Sequence, residues 1–159
     1  MLVVKKQVAI EGQLNYVFQC SWDFDLLCAF NPNVRRVEVL QSTDKVQRFQ
    51  IEEEFSGAVC GYVAERTASS PNQIRYRQTQ PLAFLKSHEA SWSFHPQGEN
   101  VVVESEERFD VDMDRASTML PLGTREEEDV EKMLSFSTHD MLMNLKAYVE
   151  LLQQPVAVV

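Results

Sequence analysis

The sequence predicts an α+β fold in which a curved antiparallel sheet of about seven strands wraps around one long C-terminal helix, with two short helices after the first strand. Three observations lead to it. Residues 124–154 read as one helix: Thr124 and Glu127 have capping-box spacing, and Glu126, Glu128 and Asp129 place negative charge where a helix N-terminus favours it. Val130, Met133, Leu134, Ser137, Met141, Leu145, Tyr148, Val149 and Leu152 then recur at three- and four-residue steps until Pro155 stops the run. From Val34 to Phe109, by contrast, the chain alternates at period two, with turn residues between the runs. Finally, roughly thirty helical residues make a rod on the order of 45 Å long, whose apolar face needs a broad partner surface. A twisted sheet supplies one.

In chain order, Leu2 to Ile10 is a Val-rich first strand ending at Glu11-Gly12. Leu14, Val17, Phe18, Phe24, Leu27 and Cys28 fall at helical steps that Asn31-Pro32-Asn33 ends, giving two short helices. Strands follow at Val34 to Leu40, Val46 to Phe55, Ala58 to Thr67, Gln73 to Gln78, Phe84 to Phe94 and Val101 to Phe109. Ser42-Thr43-Asp44, Ser56-Gly57, Ser69-Ser70-Pro71-Asn72 and Pro96-Gln97-Gly98-Glu99 separate four pairs of neighbours by short turns, so the strands should pair antiparallel as a meander. Asp112 to Gly123 reads as a polar, Met-bearing connection.

Composition limits the function. A length of 159 residues and a hydrophobic content of 44% predict one domain spanning the chain, with a sizeable core. No apolar run approaches a bilayer span and no targeting signal opens the chain, so a cytoplasmic protein with no membrane partner is expected. A net charge of −9 argues against nucleic acid, whose phosphates need clustered Lys and Arg. Cys20, Cys28 and Cys60 have neither disulfide nor zinc spacing and read as small buried apolar residues. His88, His95 and His139 are scattered, which predicts no metal. Phosphate loops, dinucleotide fingerprints and nucleophile elbows are missing, so an enzyme here is expected to need no cofactor.

The period-two faces carry the chemistry. The more apolar or aromatic faces hold Phe49, Ile51, Glu53 and Phe55; His88, Ala90, Trp92 and Phe94; and Val101, Val103, Ser105, Glu107 and Phe109. The strand from Ala58 leaves two choices, Cys60, Tyr62, Ala64 and Arg66 or Val59, Gly61, Val63 and Glu65. Glu53, Arg66, His88, Glu107 and Ser137 would thus lie among aromatic rings. Buried unpaired charge is costly, so either Arg66 and Glu107 pair at the mouth of the wrap, or these groups line a pocket with convergent polar groups.

Several runs resemble the polyketide aromatase/cyclase branch of the START-like, or Bet v 1-like, helix-grip superfamily. Residues 57–66, Gly-Ala-Val-Cys-Gly-Tyr-Val-Ala-Glu-Arg, resemble the family's strand that ends in a pocket arginine. Trp92-Ser93-Phe94, Gly98-Glu99-Asn100 and Glu107-Arg108-Phe109-Asp110-Val111 resemble its next hairpin, and Met143-Asn144-Leu145-Lys146 its closing helix. The likeness covers about Ile10 to Leu152. It implies a helix-grip fold and a cavity that folds a carrier-bound poly-β-ketone for aldol closure and dehydration. Arg66 then corresponds to the proton donor or enolate stabiliser. Because a guanidinium polarises a carbonyl more readily than it gives up a proton, a water, Tyr62 or Glu107 would handle the proton. The chain departs from the pattern at Leu27, Asn31 and Val34, where aromatic pocket residues are expected, at Ala64 and at Ser135. The candidate catalytic residues are Arg66, Tyr62 and Glu107. The candidate ligand-binding set is Leu27, Phe30, Phe49, Ile51, Tyr76, Phe84, Trp92, Ser105, Met133, Ser135, Ser137 and Met141.

Two functions follow from this resemblance: a cofactor-independent cyclase/aromatase centred on Arg66, or a non-catalytic carrier, chaperone or resistance protein for a hydrophobic small molecule. The first implies a polyketide intermediate on an acyl carrier protein. Lys5, Lys6, Arg35 and Arg36 would offer that acidic carrier a basic patch, or else serve as solvated charge. An edge strand offers a route to a homodimer.

Overall fold

The meander forms because each short turn leaves one strand only its neighbour to pair with, and the first strand, cut off by two helices, closes onto the far edge. In the computed structural model, which describes residues 1–55, 57–121 and 125–154 apart from the side chains at 25, 30, 55 and 58, the elements are β1 (Leu2–Glu11), α1 (Leu14–Trp22), α2 (Phe24–Phe30), β2 (Val34–Ser42), β3 (Val46–Phe55), β4 (Ala58–Ser70), β5 (Gln73–Gln80), β6 (Leu85–Gln97), β7 (Asn100–Val111), α3 (Met113–Met119) and α4 (Glu127–Leu152). The sheet runs β1-β7-β6-β5-β4-β3-β2 and every pair is antiparallel. Register shifts in the β2–β3, β4–β5 and β6–β7 pairs accompany its curl.

The α4 helix, 26 residues or about 39 Å by its rise, packs along β1 and reaches α1 and α2, the expected helix-grip arrangement. Its buried stripe is Val130, Leu134, Thr138, Leu142, Leu145 and Val149, which repeats at steps of three and four. That corrects the sequence reading: Thr138 and Leu142 join the stripe, Leu152 is exposed, and Met133, Ser137, Met141 and Tyr148 flank it. Each fully buried Leu there contributes about 1.5–3 kcal/mol. The capping box is made by Glu126 and Asp129; Thr124 and Pro155 lie outside the described residues.

Two further expectations are corrected, and one of the two readings of the basic residues loses its support. The connection after β7 contains the short helix α3, because the Asp112 carboxylate accepts from the Arg115 amide (3.2 Å) and caps it. Cys28 is exposed, on the solvent side of α2, and Cys60 is half-buried. The four basic residues form no single patch, since Lys5 and Lys6 lie on one edge strand and Arg35 and Arg36 on the other. Lys5 meets Glu106 at 3.1 Å, Arg35 meets Glu54, and Arg36 meets Glu38 at 3.6 Å. Among the described residues, no helix is long and apolar enough to cross a membrane.

Candidate functional site

Between the inner face of the sheet, α2 and α4 lies a cavity of about 310 Å³. Phe49, Ile51, Ile74, Phe84, Trp92 and Phe109 from the strands and the turn before β6, Leu27 from α2 and Met133, Leu134 and Met141 from α4 make its walls apolar. Phe136, 70% exposed, stands at its rim. Period two also delivers the polar groups. Five successive strands bring ionisable side chains to it: Glu53 from β3, Tyr62 and Arg66 from β4, Tyr76 from β5, His88 from β6 and Glu107 from β7.

These groups are connected. The Tyr62 hydroxyl donates to Glu53 Oε2 (3.3 Å), the Tyr62 and Tyr76 hydroxyls interact, and Gln78 Nε2 donates to the Tyr76 hydroxyl (3.0 Å). Tyr76 meets the His88 ring edge-on, with centroids 5.1 Å apart, and Phe109 stacks on its other side at 4.2 Å. His88 Nε2 lies 2.9 Å from Glu107 Oε2, and the Ser105 hydroxyl donates to Glu107 Oε1 (3.2 Å). Burial pushes the Glu53 carboxyl up, partly countered by the Tyr62 hydrogen bond and the nearby His88. Burial raises both tyrosine phenols, so both stay neutral hydrogen-bond donors near pH 7.

Arg66 is placed differently from the pairing the sequence offered. It faces inward on β4, opposite Gln47 of β3 and Tyr76 of β5 in the register, and the row continues through Ala90 to Glu107. Arg66 and Glu107 are therefore three inter-strand spacings apart, about 14 Å along the sheet, and form no ion pair. The guanidinium turns instead to the C-terminus of α1. Its Nη1 donates to the Ser21 carbonyl (3.0 Å), Nη2 to the Trp22 carbonyl (3.0 Å), and Nε and Nη2 to Gln47 Oε1 (2.9 and 2.5 Å). Gln47 Nε2 completes the clamp on the Trp22 carbonyl at 2.9 Å. The rings of Trp22, Phe24 and Phe49 lie 5.1, 5.1 and 5.4 Å from its central carbon. A cation at the negative end of a helix is favourable, and aromatic faces add to it. Burial nonetheless draws its pKa from 12.5 down to about 10, which leaves it charged near neutral pH.

Of the residues singled out in the sequence, Arg66, Tyr62 and Glu107 all line the cavity, as do Leu27, Phe49, Ile51, Tyr76, Phe84, Trp92, Met133, Ser137 and Met141. Two do not. Ser105 lies beneath Glu107 as its hydrogen-bond donor, and Ser135 is turned away because the cavity-facing stripe of α4 runs through 133, 134, 137, 138, 141 and 144. The Phe30 side chain lies outside the described residues. Glu53 and His88 join the site; both were visible as polar residues on inward faces. Gln47 had the same signal, sharing the parity of Phe49 and Ile51, whereas Asp140 and Asn144 on α4 had none beyond helical spacing.

Residues 10–138 match the profile of a family described as polyketide cyclase / dehydrase and lipid transport. Solved structures share the fold. The protein TTHA0849 from Thermus thermophilus is 17% identical with a TM-score of 0.81, over 96% of this chain and 100% of that one. The Zhui aromatase/cyclase from a Streptomyces species is 16% identical with a TM-score of 0.76, over 94% and 93%. A START superfamily protein from Mycobacterium smegmatis is 17% identical with a TM-score of 0.78, over 95% and 99%. No curated protein matches the sequence.

Proposed function

Because the chain belongs to the polyketide cyclase / dehydrase and lipid transport family, whose profile spans residues 10–138, we propose that its cavity receives a polyketide intermediate and promotes aldol ring closure and dehydration. The observation that carries this reading is the inward row from Glu53 to Glu107. Aldol chemistry needs a base for a proton beside a carbonyl, donors for the enolate oxygen, and a proton for the departing hydroxyl. An aromatic cavity whose lining includes the carboxyl groups of Glu53 and Glu107 and two neutral phenols has those parts. Glu107 serves as base, Tyr76 as a donor to a developing oxyanion, Tyr62 holds the Glu53 carboxyl through its hydroxyl, and the apolar walls fold the chain. Arg66 contributes a positive field from the α1 side of the cavity. An acyl carrier protein presents the substrate at the rim near Phe136.

A second reading, a carrier for a hydrophobic small molecule, is favoured by one observation: all but one of the Arg66 N–H groups are already engaged within the protein. Reconstitution with a minimal polyketide synthase separates the two, with products resolved by mass spectrometry for the unmodified protein and Glu107→Gln. Directed cyclisation that Glu107→Gln abolishes supports the enzyme. Spontaneous products with both proteins, alongside retained binding of an aromatic polyketide, support the carrier.

A further inference from the structure

The two carboxyl groups at the ends of the row have opposite surroundings. Glu107 is 5% exposed, and each of its oxygens faces a separate polar group: the Ser105 hydroxyl at 3.2 Å and His88 Nε2 at 2.9 Å. Hydrogen bonds of this kind are strongest to an ionised carboxylate, and they fix its orientation. His88 Nδ1 is buried with no hydrogen-bond partner among the described residues, so a proton there would be unsatisfied. The network therefore favours the ring proton on Nε2, facing Glu107. Stacked on Phe109 and edged by Tyr76, the ring is held in that position.

Glu53 has no such support. Its hydrogen-bond partner is the Tyr62 hydroxyl at 3.3 Å, and no Lys, Arg or His among the described residues lies within ion-pairing distance. Burial pushes its carboxyl up, towards the protonated form. Glu53 and Glu107 both line the one cavity, so a single bound substrate can meet both. Two carboxyl groups whose environments differ in this way divide naturally into a base and an acid.

Resting on the cyclase/dehydratase reading, we propose that the proton traffic of dehydration is divided between the two: Glu107, positioned by His88 and Ser105, removes the proton beside the carbonyl, and Glu53, positioned by Tyr62, protonates the departing β-hydroxyl. The α-carbon–hydrogen bond breaks and its electron pair forms the carbon–carbon double bond. The carbon–oxygen bond breaks with its pair going to oxygen, which takes the Glu53 proton and leaves as water. Glu107 ends protonated and Glu53 ionised, and exchange with solvent at the cavity mouth resets both. Arg66 takes no proton in this scheme; it holds the α1 end of the cavity wall in place.

The simple β-hydroxyketone 4-hydroxy-4-phenylbutan-2-one tests this in one tube. Deuterium uptake beside its carbonyl in D2O reads the base, and the ultraviolet absorbance of the conjugated enone reads base and acid together. The unmodified protein should accelerate both. Glu107→Gln should lose both by about 10²-fold or more, the range of general acid–base catalysis. Glu53→Gln should slow dehydration at least about tenfold more than it slows deuterium uptake. Equal loss of the two signals in Glu53→Gln, or either variant retaining both, overturns the division of labour while leaving the enzyme reading intact. An unmodified protein that binds the ketone, seen by tryptophan fluorescence, but accelerates neither signal overturns both. Should a Gln variant fail to fold, Asp at the same position withdraws the carboxyl by one methylene and is read in the same two channels.

Discussion

Arg66→Met removes the guanidinium while keeping most of the side chain's length, so it isolates the clamp on α1. It orphans two buried acceptors, the Ser21 carbonyl and Gln47 Oε1; the Trp22 carbonyl keeps its bond from Gln47 Nε2 at 2.9 Å. A buried acceptor without a partner costs about 1–3 kcal/mol, so two cost about 2–6 kcal/mol. Against this, the substitution relieves the burial of a charge, the same penalty that draws the Arg66 pKa down to about 10. The offset places the expected loss in the lower half, about 2–4 kcal/mol. With a urea slope of about 2 kcal/mol per molar, the unfolding midpoint should fall by about 1–2 M with an unchanged slope. The double variant with Gln47→Leu should be less destabilised than the sum, by about 0.5–3 kcal/mol, because the two residues share the clamp. An Arg66→Met midpoint within about 0.3 M of the unmodified protein, or strict additivity with Gln47→Leu, would refute the clamp and return Arg66 to the ligand.

Other outcomes follow from the same geometry. Burial raises the folded-state pKa of Glu53, so the folded chain binds more protons than the unfolded one between the two values, and this group's contribution falls as pH rises through that window. Glu53→Gln should therefore gain in melting temperature relative to the unmodified protein as pH rises from the ordinary carboxylate range; a difference that stays constant with pH would count against it. Leu145→Ala, at a fully buried position on the α4 stripe, should cost about 2–5 kcal/mol in urea unfolding. Glu126→Ala removes half of the capping box and should cost about 0.5–2 kcal/mol, lowering the melting temperature by a few degrees. Phe136→Ser, at the exposed rim, should leave stability within about 0.5 kcal/mol of the unmodified protein while weakening uptake of an apolar fluorescent ligand.

The architecture was legible in the sequence because it rests on periodicity, and periodicity survives in one dimension. Seven strands and one long helix follow from alternation at steps of two and of three to four, and the inward faces of β3, β6 and β7 follow from the same count. The failures have a common cause. A seven-residue helix such as α3 has too few turns to show a stripe, and its start is marked only by Asp112, one polar residue among several. On β4 both faces carry apolar residues, and Val63 is buried along with Tyr62, Ala64 and Arg66, so parity could not choose between them. The pairing of Arg66 with Glu107 was offered because both are charged and both point inward, yet sequence carries no measure of how many strands lie between them. The partners Arg66 does take are largely peptide carbonyls, at Ser21 and Trp22, and every residue has a carbonyl. A buried charge is thus visible in a sequence as a cost that something must meet, while the group that meets it stays invisible whenever it belongs to the backbone. The same limit hid the difference between Glu53 and Glu107. Both are glutamates on inward parities, and only the neighbours that the sheet register brings up, a phenol for one and a histidine and a serine for the other, make one suited to give a proton and the other to take it.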